Sequence, residues 1–176
     1  MNALDTARDR LTRMARTEQK AYAGDEDRPL GGYLMTMTVY AGVTGMLAAA
    51  VRLTGREVPD GLPAKDIALT ALATYKLSRV LTKDPVTSPL RAPFTSYEGT
   101  SGPAELHEEV RGSGARKTVG ELITCPFCSG MWVATKFTAG LVLLPRTTRL
   151  VTGTFAALAG SDLLQYAHAW LQQKAA

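Results

Sequence analysis

Apolar residues in this chain are gathered into four blocks, and strongly charged stretches separate them. The first block has no ionisable side chain other than its tyrosines. Its 19 residues would form about 28 Å of helix, close to the thickness of a bilayer's hydrocarbon core. One or two charged residues interrupt each of the other three. The pattern predicts four long helices, at Tyr33–Val51, Ile67–Leu81, Gly130–Leu144 and Leu150–Leu171.

Bulk composition leaves two architectures open, a soluble helical bundle and a membrane bundle. An apolar fraction of 45% and a mean hydropathy of -0.03 would suit an ordinary cytosolic protein. The blocks, however, show little alternation of apolar and polar residues with a period of 3.6, and they contain five glycines, each of which would cost a soluble helix about 1 kcal/mol. Small residues are common where membrane helices pack. We therefore expect an all-α integral membrane bundle of about four helices.

Two regions follow from this division. Residues 1–30 place Leu4, Ala7, Leu11 and Met14 at helical spacing among basic residues, which predicts an amphipathic helix on an anionic lipid surface. A solvated charged helix is the alternative reading of the same residues. Residues 31–176 form the expected four-helix membrane domain, with a long polar cytoplasmic loop at 83–128 between helices two and three.

The distribution of Lys and Arg orients the bundle. With both termini in the cytoplasm of a bacterial cell, twelve basic residues lie inside and five outside, as the positive-inside rule requires. Anionic lipid headgroups at the cytoplasmic face are then the expected partners of the basic residues. The isoelectric point of about 9.2 is explained in this way without nucleic acid.

Charged residues within the blocks fall at similar depths once the helix directions are assigned. Lys136 and Asp162 lie roughly 10 Å from the cytoplasmic end, and Arg79 and Lys76 lie near the same plane. Since an unpaired buried charge is costly, we expect Asp162 to pair with Lys76, Arg79 or Lys136. The cluster is either a locking ion pair or a polar site for an anionic ligand or an ion.

The polar segment contains three further signals. Prolines 85, 89 and 93 predict an extended surface arm, and the glycine-rich stretch 97–114 predicts a mobile loop. Thr118 and Glu121 fit a capping box, with Thr118 as the N-cap of a short helix that leads into Cys125.

The only two cysteines stand in Cys125-Pro126-Phe127-Cys128, and the motif has three possible roles. Cys125 could simply cap a helix that begins at Pro126, with both thiols reduced and packed. The pair could catalyse thiol–disulfide exchange, although the usual βαβ context of that chemistry is absent. A zinc ion needs about four ligands, and His107 and His168 are distant, so a metal site would require zinc shared by the cysteines of two chains.

Several short stretches resemble an uncharacterised bacterial membrane-protein family that includes YjcA-like sporulation proteins. The resemblance covers about residues 65–170. It is carried by Tyr75-Lys76-Leu77-Ser78-Arg79, Lys83-Asp84, Arg91-Ala92-Pro93-Phe94, Tyr97-Glu98 and Gly120–Trp132. It implies a small multipass membrane protein of unknown biochemical function, and it supplies no catalytic residue.

Three hypotheses for function follow. The leading one is a non-enzymatic membrane component that docks a protein partner, or a second copy of itself, through its cytoplasmic face. A membrane thiol oxidoreductase using Cys125 and Cys128 is the second, and a pore or transporter subunit is the third. The residues expected to bind or to line a site are Lys76, Arg79, Arg91, Pro93, Phe94, Lys136 and Asp162.

Overall fold

Helices dominate the structure, as the apolar blocks predict. The computed structural model describes residues 3–24, 26 and 28–175, and at residues 3, 4, 7 and 8 it describes the backbone alone. This part of the chain contains seven α-helices, a 3₁₀ turn and one antiparallel β-hairpin, so the expectation of an all-α chain is wrong in that detail. The elements are α1 (Ala3–Ala23), α2 (Leu30–Leu53), α3 (Ala64–Lys83), the 3₁₀ turn (Pro85–Thr87), α4 (Ser88–Arg91), β1 (Thr95–Gly102), β2 (Glu105–Val110), α5 (Gly114–Thr124), α6 (Pro126–Leu143) and α7 (Pro145–Ala175).

The α3 helix is the centre of the bundle and packs along both α6 and α7. Its Ala73 is fully buried and forms the core with Val133 and Phe137 of α6. On α7, Ala156 and Ala159 are also buried. Small side chains at these contacts let the helix backbones approach closely, which places α3 and α7 side by side along most of α3.

The described bundle buries several hydroxyl groups beside its apolar core and exposes many large apolar side chains. Hydroxyl groups of Ser78 and Thr82 on α3 and of Thr152 on α7 are buried between helices, and each donates to a carbonyl of its own helix. Large apolar side chains point outward instead. The exposed set on α2, α3 and α7 includes Leu34, Met37, Val39, Met46, Ile67, Leu72, Leu150, Leu158, Leu163 and Leu164.

The α2 helix is attached to the rest of the bundle by a few specific contacts. Gly32 lies against Thr118 of α5, where an added Cβ would be 2.1 Å from the threonine hydroxyl. The Tyr40 hydroxyl is 2.7 Å from the Thr135 hydroxyl of α6, and the Tyr40 ring packs edge-on against the Trp132 ring. Among the described residues, α2 is the one helix that is long and apolar enough to cross a membrane, and very little of it is buried.

The segment between α3 and α6 folds into a defined unit, which we call the cap (residues 84–124). The predicted extended arm is wrong, because Pro85 and Pro89 occupy the first turns of the 3₁₀ turn and of α4, where a missing N–H is tolerated. The predicted mobile loop is a β-hairpin instead, paired from Thr95↔Val110 to Gly102↔Glu105. Glycines in this stretch allow the irregular register of the hairpin, and Gly99 has a positive φ angle of +142°.

The capping box predicted at Thr118 is also wrong. A short helix does lead into Cys125, but it begins at Gly114, so Thr118 lies within it. The Thr118 hydroxyl donates to the Gly114 carbonyl at 3.2 Å, and Glu121 accepts a hydrogen bond from Tyr33 of α2 at 2.8 Å. The sequence pattern misled because the helix begins four residues before Thr118, and because Glu121 has a partner on α2 that the local sequence does not reveal.

The amphipathic surface predicted for α1 can be followed only in part. Residues Ala3–Ala23 are helical, and the side chains of Leu11 and Met14 are exposed. The side chains of Leu4, Ala7 and Arg8, together with Asp25 and Asp27, lie outside the described residues. The role of residues 1–30 at a lipid surface therefore stays a prediction.

Candidate functional site

A cavity opens where α3 and α7 meet the turn of the β-hairpin. Its volume is about 280 Å³, and five charged residues are among those that line it. The wall from the cap is the turn at Pro103 and Ala104, where Ala104 adopts a positive φ of +57°. The lining residues are Tyr75, Lys76, Arg79, Val80, Asp84, Pro103, Ala104, Glu105, Asp162, Gln165, Tyr166 and Ala169.

An ion pair between α3 and α7 crosses this cavity. The Lys76 ammonium nitrogen is 2.6 Å from Oδ2 of Asp162, and both side chains are half-buried. The pairing expected for Asp162 is thus present, with Lys76 as the partner among the three candidate cations. The helix directions predicted the common depth, whereas the packing of α3 on α7 decided which cation faces the carboxylate.

A second ion pair joins α3 to the cap. Arg79 donates to both oxygens of Glu105, from Nε at 2.7 Å and from Nη2 at 2.5 Å, and its guanidinium carbon is 5.7 Å from the centroid of the Tyr75 ring. This bidentate geometry is the strongest form of an arginine–carboxylate contact. Sequence reasoning missed Glu105, because the pair is separated by 26 residues and nothing in the local sequence links them.

Arg91 is the structural centre of the cap. Its side chain is 1% exposed and donates to Glu108 at 2.5 Å, to the Leu81 carbonyl at 2.9 Å and to the Asp84 carbonyl at 3.0 Å. Those carbonyls belong to the C-terminal end of α3, where helical acceptors have no partner within the helix. Arg91 therefore terminates α3 and fastens the cap to it, and its guanidinium does not reach the surface.

The other residues expected to bind a partner lie apart from the cavity. Pro93 is exposed and its carbonyl accepts from Arg116, while Phe94 is half-buried in the cap and its carbonyl accepts from the Arg111 backbone at 2.9 Å. Lys136 is exposed on α6 and lines neither the cavity nor the contact with Asp162. The structure thus brings Lys76, Arg79 and Asp162 together and leaves Lys136 outside the group.

The CPFC motif forms the start of α6. Cys125 is the N-cap, and its sulfur accepts the backbone N–H of Cys128 at 3.1 Å, while Pro126 occupies the first turn. Both thiols are free. Cys128 is exposed, but partial desolvation of its sulfur, and next the hydrogen bond with Cys125, raise the pKa of this thiol to about 11. This environment disfavours the thiolate that thiol–disulfide exchange needs.

A metal site within one chain has no support in the described residues, which contain no group of three or more His, Cys, Asp or Glu side chains able to hold an ion. The alternative of a zinc ion shared by two chains stays a prediction, since it requires the cysteines of a second copy. The two cysteines are also remote from the described cavity, whose lining they do not join.

Comparison with known proteins gives one family. Residues 69–168 match the model of DUF1360, a protein family of unknown function. The chain belongs to the DUF1360 family. The matched region contains both ion pairs of the cavity, the Arg91 network and the CPFC motif, whereas α1 and α2 precede it.

One curated relative is the sporulation protein YjcA of Bacillus subtilis (strain 168). It is 35% identical to this chain over 71 residues, which cover 39% of this chain and 60% of the relative. The match therefore spans less than two thirds of the relative's length. No solved structure matches the chain.

Proposed function

We propose that this DUF1360 protein is a multipass integral membrane protein that acts without catalysis and presents its cap to a partner protein at the cytoplasmic face. In this proposal α2, α3, α6 and α7 cross the bacterial cell membrane through the four apolar blocks, and both termini are cytoplasmic. The relative's name adds a cellular setting, and we extend a role in sporulation to this chain.

The large apolar side chains exposed on the outside of the bundle carry the membrane part of the proposal. Hydroxyl groups and alanines lie between α3 and α7, while leucines such as Leu72, Leu158 and Leu163 lie outside. In water this arrangement would leave a broad apolar surface uncovered, which soluble monomers avoid. In lipid the outer leucines are solvated by acyl chains, and small or hydroxylated residues make the helix contacts.

The ends of the bundle support the proposed orientation. The cap packs against the start of α2 and the end of α3, so these helix ends share one side with the basic residues of the cap. The opposite end is closed by Asp66 of α3 and Arg149 of α7, which are 2.8 Å apart. Twelve Lys and Arg residues lie on the cap side of the proposed topology and five on the other side, which supports a cytoplasmic cap end under the positive-inside rule.

The surface of the cap supports the docking part. Val86 is 85% exposed, and Leu90 and Tyr97 are about two-thirds exposed, so the cap offers apolar side chains on a rigid frame. The frame is held by the buried Arg91–Glu108 pair, and it would not need to fold on binding. A preorganised surface loses less conformational entropy when a partner binds.

Topology and extraction experiments test the membrane part. Alkaline phosphatase fused after residue 60 should be active, green fluorescent protein fused after residue 175 should fluoresce, and alkaline carbonate should not release the protein from membranes. Release by carbonate, or the opposite pattern of reporter activity, would contradict the proposal.

Surface variants test the docking part. Val86→Asp and Tyr97→Ser on the cap should lower spore yield in a sporulating host while membrane levels of the protein stay normal. Val58→Asp is the matched control, because Val58 is comparably exposed in the connection between α2 and α3 at the other end of the bundle. Equal yields for all three variants and the unmodified protein would contradict a docking role of the cap.

A further inference from the structure

The charges that line the cavity are unequal in number. Asp84, Glu105 and Asp162 supply three carboxylates, whereas Lys76 and Arg79 supply two cations. A free anion would therefore enter a site with excess negative charge, and a simple cation would have to lie beside an ammonium and a guanidinium. Neither kind of ligand fits the whole lining.

A ligand that carries both charges fits it better. Lys76–Asp162 and Arg79–Glu105 both line the cavity, and each pair is only partly exposed. A zwitterion can insert its anionic group between the two cations and its cationic group between the carboxylates. Every charge then keeps an opposite partner, which avoids the cost of leaving one buried and unpaired.

We propose that the cavity binds a phosphoethanolamine group, with the phosphate toward Lys76 and Arg79 and the ammonium toward Asp162 and Glu105. Tyr166 also lines the cavity, and an aromatic ring there is a suitable neighbour for an ammonium group. The volume of about 280 Å³ lies just below the range of pockets for drug-sized molecules, so it accommodates a headgroup and leaves longer chains outside.

The position of the cavity favours a phospholipid headgroup over a free metabolite. Tyr75 and Tyr166 border it and are about half exposed. Tyrosines at this level mark the boundary between hydrocarbon and headgroups in membrane proteins. This step rests on the proposed membrane function, because only an embedded protein would hold the cavity at that boundary.

Binding of short-chain lipids to the full-length protein in detergent tests the proposal. Calorimetry should show that dioctanoyl phosphatidylethanolamine binds at least about tenfold more tightly than dioctanoyl phosphatidylglycerol, which has the phosphate but no ammonium. Glycerophosphoethanolamine carries the same headgroup without acyl chains, so it tests whether the ligand is a free metabolite. It should bind more weakly than the lipid. Equal affinity for the two lipids, or no binding of either, would overturn the proposal.

A matched pair of variants separates ligand contact from stability. Asp162→Asn and Asp66→Asn each remove the carboxylate of an ion pair between α3 and α7, but only the first lies at the cavity. Asp162→Asn should weaken binding of the ethanolamine lipid about tenfold, whereas Asp66→Asn should leave it unchanged. Equal losses would show that the effect is structural and would overturn the assignment.

Failure of the headgroup site can be told apart from failure of the proposed membrane function, even if a variant does not fold. The ratio of affinities for the two lipids is measured on the unmodified protein, so it decides the question without any substitution. A protein that carbonate releases from membranes contradicts the proposed function. A protein that stays embedded but binds both lipids equally contradicts only the headgroup site.

Discussion

The Arg91 guanidinium and the Glu108 carboxylate form an ion pair inside the cap, 2.5 Å apart and with side chains that are 1% and 6% exposed. Burial removes both charges from water, so each depends on the other and on neighbouring polar atoms. The same guanidinium donates to carbonyls at the end of α3. One side chain thus joins the hairpin, α4 and the central helix.

Replacing Arg91 should therefore be severe. Arg91→Met leaves the Glu108 carboxylate buried without its ionic partner and removes the side-chain donor to the Leu81 carbonyl, so we expect the free energy of unfolding to fall by about 3–5 kcal/mol. Unfolding of the purified protein in detergent, followed by circular dichroism, measures the loss. Arg111→Met is the control, because the exposed Arg111 side chain donates to the Ala92 carbonyl and its loss should cost less than about 1 kcal/mol. Similar losses for both variants would contradict the central role of Arg91.

Two adjacent glycines of α2 should respond in opposite ways to alanine. A Cβ at Gly32 would lie 2.1 Å from the Thr118 hydroxyl, whereas Gly31 has open space around it. Gly32→Ala should destabilise the protein by about 1–3 kcal/mol through overpacking. Gly31→Ala should be neutral or stabilising by up to about 1 kcal/mol, since alanine favours the helix. Thermal unfolding of the two variants makes the comparison, and equal midpoints would mean that α2 does not pack on α5.

The Asp66–Arg149 pair, at the end of the bundle opposite the cap, should be sensitive to acid. The hydrogen bond from Arg149 holds the pKa of Asp66, which precedes the second apolar block, below its ordinary value of 3.8. A lowered pKa in the folded state stabilises the protein above the unfolded pKa, and this contribution is lost as the pH falls through the folded pKa. The thermal midpoint should therefore fall as the pH is lowered below the ordinary carboxyl value of 3.8, and Asp66→Asn should remove part of that fall.

Asp60→Asn serves as the comparison for this experiment, because Asp60 lies in the exposed connection before α3. It should leave the acid dependence of the thermal midpoint as it is in the unmodified protein. If Asp66→Asn behaved in the same way, the Asp66–Arg149 pair would have no part in the acid response.

The thiol of Cys128 should react slowly at neutral pH. Although the residue is exposed, partial desolvation of the sulfur is the main cause that raises its pKa to about 11, so little thiolate is present at pH 7. Alkylation by iodoacetamide, followed by mass spectrometry in a Cys125→Ser variant, should accelerate with pH and reach half of its maximal rate above pH 9. A midpoint below the ordinary cysteine value would instead support the redox hypothesis, and a double Cys→Ser protein that keeps its function would exclude it.

The sequence alone located the helices of the bundle. The four apolar blocks became α2, α3, α6 and α7, because mainly apolar runs of that length favour helices over the shorter strands of a sheet. The start of α6 was also readable, since Cys125 and Pro126 have local preferences for the cap and the first turn. These features depend on neighbours within a few residues, so the sequence alone is enough to predict them.

The tertiary structure decided the remaining features, because they depend on which side of each helix contacts another element. The fixed rise of a helix predicted that Lys76, Asp162 and Lys136 lie at one depth, but rotation about the helix axis left Lys136 outside the group. The hairpin and its Glu105 were missed since their stabilising partners, Arg79 and Arg91, come from elements earlier in the chain. Depth follows from counting residues, whereas contact requires the packing of the whole chain.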